Sequence, residues 1–186
     1  MTIDEANRTL LEADIIVSET EVTAVINRMA HEISARLDKT RPIVCCIMNG
    51  GLIFAGQLLT KLIFPLEVDY LHATRYGHAT EGAELNWLVK HQLNPFDRTI
   101  LLLDDILDEG ITLAAISQRY RQQGAREIVT AVLVDKQHKR KVSPGYRADF
   151  TGIDADDRFL FGCGMDYRGF WRNLPGIYAL NRNYEE

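Results

Sequence analysis

The sequence predicts an α/β protein built on a largely parallel sheet, and three observations carry that expectation. Residues 99–136 run strand, turn, helix, strand: TILLLDD is a continuous apolar run suited to a strand buried on both faces, TLAAISQRYRQQGA is helical with Gly124 near its C-terminal end, and EIVTAVLVDK is a second buried strand. An earlier apolar run, IVCCIM, is likewise followed by a glycine-bearing turn and a helical stretch. Each of the three strands also ends in an unusual polar cluster: NGG, DDILDEGIT and DK. In open α/β sheets ligands bind beyond the carboxyl ends of the strands, so these clusters point to one site.

Each element has its own sequence signature. Ser18 with Glu21 has the form of a capping box, and Val22, Val25, Ile26, Met29, Ile33 and Leu37 then recur at helical spacing. After Arg41 and Pro42 comes the strand IVCCIM, then Asn49, Gly50 and Gly51, then GLIFAGQLLTKLIF, which reads as a mostly buried helix ending before Pro65. LEVDYLHATRY alternates in part, and LNWLVKHQ reads as its antiparallel neighbour. Between them YGHATEGAE is polar and glycine-bearing, which suits a mobile loop. No internal repeat, low-complexity stretch or proline-rich linker divides the chain, so residues 1–186 are expected to form a single domain.

Composition narrows the function classes. A chain of 186 residues with 46% hydrophobic and 25% charged residues is ordinary for a globular domain. The net charge of -5 argues against bulk nucleic-acid binding, which needs clustered Lys and Arg, although a local phosphate site is allowed. The start, MTIDEANRTLLEAD, lacks a basic segment followed by an apolar one, and no run reaches the roughly 18 apolar residues of a membrane span. A cytoplasmic location without membrane partners is therefore expected. Three cysteines, Cys45, Cys46 and Cys163, have neither a disulfide framework nor a zinc-ligand spacing and are expected to be buried and reduced.

The acidic turn asks for an explanation. Asp104, Asp105, Asp108 and Glu109 repel one another unless a cation or a polyhydroxylated ligand lies among them. Gly110 and Thr112 lead into a helix whose first backbone N–H groups form an anion site, so one end suits a phosphate and the other suits sugar hydroxyls or a hard cation such as Mg2+. A phosphorylated sugar satisfies both. A solvated acidic turn with a capped helix is the bland alternative, weakened by the apolar strand that forces the turn to a sheet end. DDILD also fits the D-D-x-x-D pattern of prenyl-diphosphate synthases, but there the aspartates lie on a helix in an all-α fold. A receiver domain places its acidic pair near the chain start, which is the wrong order here.

ILLLDDILDEGITL resembles the phosphoribosyl-diphosphate motif of type I phosphoribosyltransferases, and nearly the whole chain resembles the hypoxanthine-guanine phosphoribosyltransferase branch. IMNGG stands where that family has its pyrophosphate loop, RYGHAT where it has a flexible loop, VLVDK where it has a purine-recognising lysine, and DDRFLFGCGMDYRGFWRNLP where it has its C-terminal purine and metal segment. The resemblance implies a mainly parallel twisted sheet flanked by helices, with a small hood from the N- and C-terminal segments. It implies transfer of the phosphoribosyl group of 5-phosphoribosyl 1-diphosphate to hypoxanthine or guanine, with small-molecule partners and a homodimer or homotetramer.

Roles for individual residues follow from the same resemblance. Asp104 and Asp105 take the ribose hydroxyls, the loop of Asp108, Glu109, Gly110, Ile111 and Thr112 takes the 5-phosphate, and Asp108 is the general base facing N7 of the purine, a role that works best with a raised pKa. Lys136, Phe159 and Leu160 meet the purine, with Lys136 donating to a 6-oxo acceptor and rejecting the 6-amino donor of adenine. Asn49, Gly50, Gly51 and Arg172 hold the diphosphate, with a cis peptide expected between Met48 and Asn49. Arg75 and Tyr76 belong to the mobile loop. Mg2+ is expected near Asp166, with Asp104 and Asp105. For Lys136 the bland reading is a strand-end lysine in solvent, for Phe159 plain core, and for Asn-Gly-Gly a tight turn demanding positive φ.

The chain departs from the family at three places. Asn49 stands where many members have lysine, Arg75 replaces a serine, and Glu109 and Ile111 replace a small hydroxyl residue and a polar one. A competing reading keeps the fold but makes the chain a regulator that binds phosphoribosyl diphosphate or nucleotide without catalysis. Its basic run KQHKRK, Lys136 to Lys141, is then a nucleic-acid face, though a solvated loop at the site rim or a subunit contact fits it better. Retention of Asp108 favours the enzyme.

Overall fold

One helix and four strands join the segments named above. The computed structural model describes residues 1–75 and 85–181. In chain order the elements are α1 (Ile3–Glu12), β1 (Asp14–Val17), α2 (Glu19–Leu37), β2 (Ile43–Met48), α3 (Gly51–Leu59), β3 (Glu67–Arg75), β4 (Leu85–Val89), β5 (Thr99–Leu107), α4 (Ile111–Gln122), β6 (Glu127–Gln137), β7 (Phe150–Asp156), β8 (Leu160–Phe161) and β9 (Ile177–Ala179). Six strands form one sheet in the order β4-β3-β2-β5-β6-β7, parallel throughout except for the edge strand β4. β1, β9 and β8 form a separate three-stranded antiparallel sheet from the two ends of the chain.

The apolar runs are central because they are apolar on both sides. In β5, Leu101 and Leu103 pack towards α2 and α3, while Ile100 and Leu102 pack towards Leu113, Ile116 and Tyr120 of α4. All four β5 residues are fully buried, at about 1.5–3 kcal/mol for each such side chain. The Ser18–Glu21 capping box at the start of α2 is present with both reciprocal bonds. LNWLVKHQ does pair antiparallel to β3, and the three cysteines are buried free thiols, with burial first pushing Cys45 and Cys46 up to about 12.

Two boundaries differ from the sequence reading. α3 stops at Leu59 rather than running to Phe64: Lys61 and Leu62 donate to the carbonyls three residues back, tightening the end ahead of Pro65, whose ring disfavours helix at the preceding residue. β5 continues past Asp104 and Asp105 to Leu107, because Ile106 and Leu107 keep their pairing with Val134 and Asp135 of β6. α1, β1, β7, β8 and β9 have no counterpart in the sequence reading. Among the described residues no helix is long and apolar enough to cross a membrane.

Candidate active site

β2, β5 and β6 run in one direction, so their carboxyl ends deliver NGG, DDILDEGIT and DK to the same edge of the sheet. A cleft of about 400 Å3 opens there, lined by Asn49 and Gly50, by Asp104 and Asp105, by Asp108 to Thr112 and by Arg172. A second hollow shares Asp105, Asp108 and Arg172 with it and adds Lys136, Phe159, Leu160 and Asp166. Gly51 lies just beneath, where an added Cβ would fall 2.8 Å from the Leu103 carbonyl oxygen. Arg75 is the last residue of β3, while Tyr76 and the rest of the expected mobile loop up to residue 84 lie outside the described residues.

The peptide between Met48 and Asn49 is cis. Gly50, however, has φ -57 and ψ -49, so the Asn-Gly-Gly turn does not need glycine for a positive φ at that position. It needs the space. A Cβ on Gly50 would lie 2.2 Å from Oδ2 of Asp105, and a Cβ on Gly164 would lie 2.1 Å from the Gly50 carbonyl oxygen. The turn after β2, the acidic end of β5 and the C-terminal segment thus converge at contact distance.

Asp104 and Asp105 form a tight acidic pair. Oδ1 of Asp104 accepts the Asp105 backbone N–H at 3.0 Å, and Oδ1 of Asp105 accepts that of Ile106 at 2.8 Å. Burial raises both carboxyls above the usual range; beyond burial, the neighbouring Asp105 charge raises Asp104 further, and Arg172 partly offsets the rise at Asp105. Arg172 is held by its bond to the Gly164 carbonyl at 2.6 Å and by an ion pair with Asp166, whose Oδ2 accepts the Gly169 N–H at 2.6 Å.

The phosphate-type turn is also built for close approach. Gly110 caps α4 with φ 83 and ψ 3, in the left-handed region, and a Cβ there would lie 2.7 Å from the ring of Tyr146. The Ala114 N–H bonds the Gly110 carbonyl at 2.9 Å as the first bond of α4, so the N–H groups of Ile111, Thr112 and Leu113 have no partner within the helix, and these three residues line the cleft.

Asp108 differs from the expectation of a raised pKa. Burial pushes its carboxyl up, but the Lys136 ammonium and the His138 ring together more than offset this, and it sits below the usual carboxylate value. Lys136 is buried at the end of β6, with Nζ 3.3 Å from Asp108 Oδ2 and 3.2 Å from Asp157 Oδ1, so it is no strand-end lysine in solvent. Phe159 is not core either: it is 46% exposed at the rim of the hollow, edge-on to Tyr167 at 5.5 Å. Leu160 is buried in β8.

The basic run is only partly solvated: Lys139 and Arg140 are exposed, but His138, Arg140 and Lys141 are each paired with an acid. His138 bonds Asp108, Arg140 forks onto Asp157 at 2.6 and 3.0 Å, and Lys141 reaches the buried Asp135 at 2.6 Å and the Leu107 carbonyl at 2.8 Å. Sequence reasoning missed His138, Arg140 and Lys141 as parts of the site wall, because the acids they answer, Asp108, Asp157 and Asp135, lie on other segments of the chain. Among the described residues, Asp108, His138 and Asp157 are the group whose ligand-type atoms lie within 4.8 Å of one another. Lys136 and Arg140 already answer both of its carboxylates. Asp104, Asp105 and Asp166 do not form such a three-ligand group.

The phosphoribosyl transferase domain family matches residues 12–168. The hypoxanthine-guanine phosphoribosyltransferase of Bacillus subtilis (strain 168) is 30% identical over 167 residues, covering 89% of this chain and 92% of the relative. The enzyme of the same name from Aquifex aeolicus (strain VF5) is 29% identical over 168 residues, covering 89% and 93%. A crystal structure of a hypoxanthine-guanine phosphoribosyltransferase from Bacillus anthracis superposes with a TM-score of 0.84 at 25% identity, covering 90% of this chain and 98% of that one.

Proposed function

The chain belongs to the phosphoribosyl transferase family, in its hypoxanthine-guanine branch, and from that premise we propose that it transfers the phosphoribosyl group of 5-phosphoribosyl 1-diphosphate to N9 of hypoxanthine or guanine, releasing diphosphate. The observation that carries this reading is the meeting of Lys136, Asp108 and the Asp104–Asp105 pair in adjoining hollows at the ends of β5 and β6.

The residues divide the work by chemistry. Asp104 and Asp105 accept the ribose hydroxyls, and their field favours the positive charge that develops on the sugar ring as the diphosphate leaves. The turn from Asp108 to Thr112 and the start of α4 receive the 5-phosphate, with Thr112 adding a hydroxyl donor. Asn49, Gly50, Gly51 and Arg172 hold the diphosphate. Lys136, which can only donate, moves from the carboxylates to the 6-oxo group of the purine, with Phe159 against the ring and the Leu160 backbone at its edge. That movement removes one cation from Asp108, and its carboxyl rises towards the value at which it accepts the N7 proton.

A divalent cation fits this donor set. Mg2+ keeps several waters and is commonly held by one or two carboxylates together with substrate phosphates, so it needs no three-ligand protein cage; Asp105 and Asp166, which line one hollow, offer hard oxygen donors of that kind. When bound it neutralises diphosphate charge; Asp166, with Asp104 and Asp105, is the set that would hold it. Residues 1–186 act as one domain, hooded by the β1-β9-β8 sheet, in a cytoplasmic homo-oligomer.

The test is product analysis of purified protein given Mg2+, phosphoribosyl diphosphate and each purine in turn. Nucleotide and diphosphate formed in equal amounts, and abolished by chelation of the metal, are expected. Binding of phosphoribosyl diphosphate without either product would replace the enzyme by a non-catalytic sensor on the same fold.

A further inference from the structure

His138 is not needed by the chemistry above, yet it holds the residue at its centre. It follows β6 directly, its side chain is only 4% exposed, and its Nε2 lies 2.6 Å from Oδ1 of Asp108. Its other ring nitrogen, Nδ1, faces the Arg140 backbone N–H at 3.1 Å. An N–H donor at Nδ1 requires a lone pair there, so the hydrogen-bond pattern assigns the ring proton to Nε2 and makes His138 the donor to Asp108.

The two carboxylate oxygens of Asp108 are therefore held by different partners. Oδ1 takes His138, and Oδ2 takes Lys136 at 3.3 Å. The two partners are not equivalent. Lys136 carries its ammonium on a flexible stem that can swing to a ligand, whereas the imidazole is fixed by a segment stapled on both sides. Lys141 ties that segment to Asp135 and to the Leu107 carbonyl, Arg140 ties it to Asp157, and the Val142 N–H reaches the Glu109 carbonyl at 2.7 Å, within the acidic turn itself.

Resting on the proposed transfer to a 6-oxopurine, we infer that His138 is a positioning residue: by donating from Nε2 to Oδ1, it keeps the carboxylate of Asp108 turned so that Oδ2, once released by Lys136, faces the purine N7. A general base must lie within hydrogen-bond reach of the proton it takes, and a displacement of about 1 Å can cost on the order of 10²-fold in rate. The His138 ring itself touches no reacting atom.

The experiment compares wild type with His138→Gln, which keeps an N–H donor near the Nε2 position, and His138→Phe, which keeps the ring and loses the donor. Steady-state kinetics with hypoxanthine, Mg2+ and phosphoribosyl diphosphate are expected to show kcat reduced by roughly 10- to 100-fold in the Phe variant. Its KM for phosphoribosyl diphosphate stays close to wild type, and the Gln variant recovers most of kcat. Equal loss in both variants, or loss in neither, overturns the inference. If the Phe variant melts before the assay temperature, long-range proton–nitrogen NMR of the wild-type histidine rings decides: a single Nε2-protonated tautomer supports the role and an Nδ1-protonated one overturns it. A wild type inactive with every 6-oxopurine removes the transfer reading itself, and the inference falls with it.

Discussion

Nζ of Lys136 lies 3.3 Å from Oδ2 of Asp108, so the group proposed to select the purine and the group proposed to deprotonate it hold each other. Purine entry must exchange this ion pair for two contacts to the base. Lys136→Ala removes the donor to the 6-oxo group, and a hydrogen bond to a charged group is worth about 1.5–3 kcal/mol. We expect kcat/KM for hypoxanthine to fall by about 10- to 100-fold, with KM for phosphoribosyl diphosphate little changed, as read by steady-state kinetics.

Asp108→Asn tests the other half of the pair. General-base catalysis contributes about 10²- to 10⁴-fold, so turnover should fall within that range while phosphoribosyl-diphosphate affinity, measured by calorimetry, is retained. Loss of both together, or of neither, contradicts the role given to Asp108.

Asp104→Asn should stabilise the protein and disable it. A buried carboxyl whose folded pKa is raised costs nothing below its unfolded value of about 3.9 and destabilises increasingly as pH rises towards the folded value. An amide escapes that cost and can still accept the Asp105 N–H. For a chain of this length each 1 kcal/mol relieved raises the melting temperature by about 2–4 °C. Calorimetric melting at pH 7 should therefore show a higher Tm, alongside weakened phosphoribosyl-diphosphate binding.

Gly164→Ala should destabilise the protein instead. The added Cβ meets the Gly50 carbonyl at 2.1 Å, a backbone atom that cannot swing away, and φ 107 is strained for any L side chain. A cost of about 1–3 kcal/mol is expected in urea unfolding, with loss of activity because Gly50 and Asp105 are displaced together.

Asp157 supplies the pH signature of the site wall. The Arg140 fork first, and Lys136 next, hold its carboxyl well below the usual range. Its contribution is complete above the unfolded value of about 3.9 and is lost as pH falls below it towards the folded value. Asp157→Asn should cost no more than about 1 kcal/mol at pH 7, since the pair is partly exposed, and the gap to wild type should narrow steadily as pH falls below about 4 towards the folded value.

Sequence made the centre of the molecule legible and its margins opaque, for physical reasons. Ile100 to Leu103 announce a strand because burial on both faces requires an unbroken apolar run, and the acids that follow announce a site because the strand fixes where they must emerge. β8 and β9 span only Leu160–Phe161 and Ile177–Ala179, too short for any periodicity, and are defined by pairing β9 with β8 on one side and with β1 from the other end of the chain on the other. His138, Arg140 and Lys141 read as solvated charge because their partners, Asp108, Asp157 and Asp135, come from other elements. The lowered pKa of Asp108 was invisible for the same reason: it depends on which cations the fold sets against it.

The decisive measurement is the ratio of kcat/KM for hypoxanthine to that for adenine, taken on wild type and on Lys136→Ala under the same Mg2+ and phosphoribosyl-diphosphate concentrations. A donor-only group facing the 6-position predicts a large ratio in wild type, up to about 10⁴, that collapses in the variant. Equal use of both bases by wild type, or a ratio untouched by the substitution, would contradict base selection by Lys136 and with it the site assembled at the ends of β5 and β6.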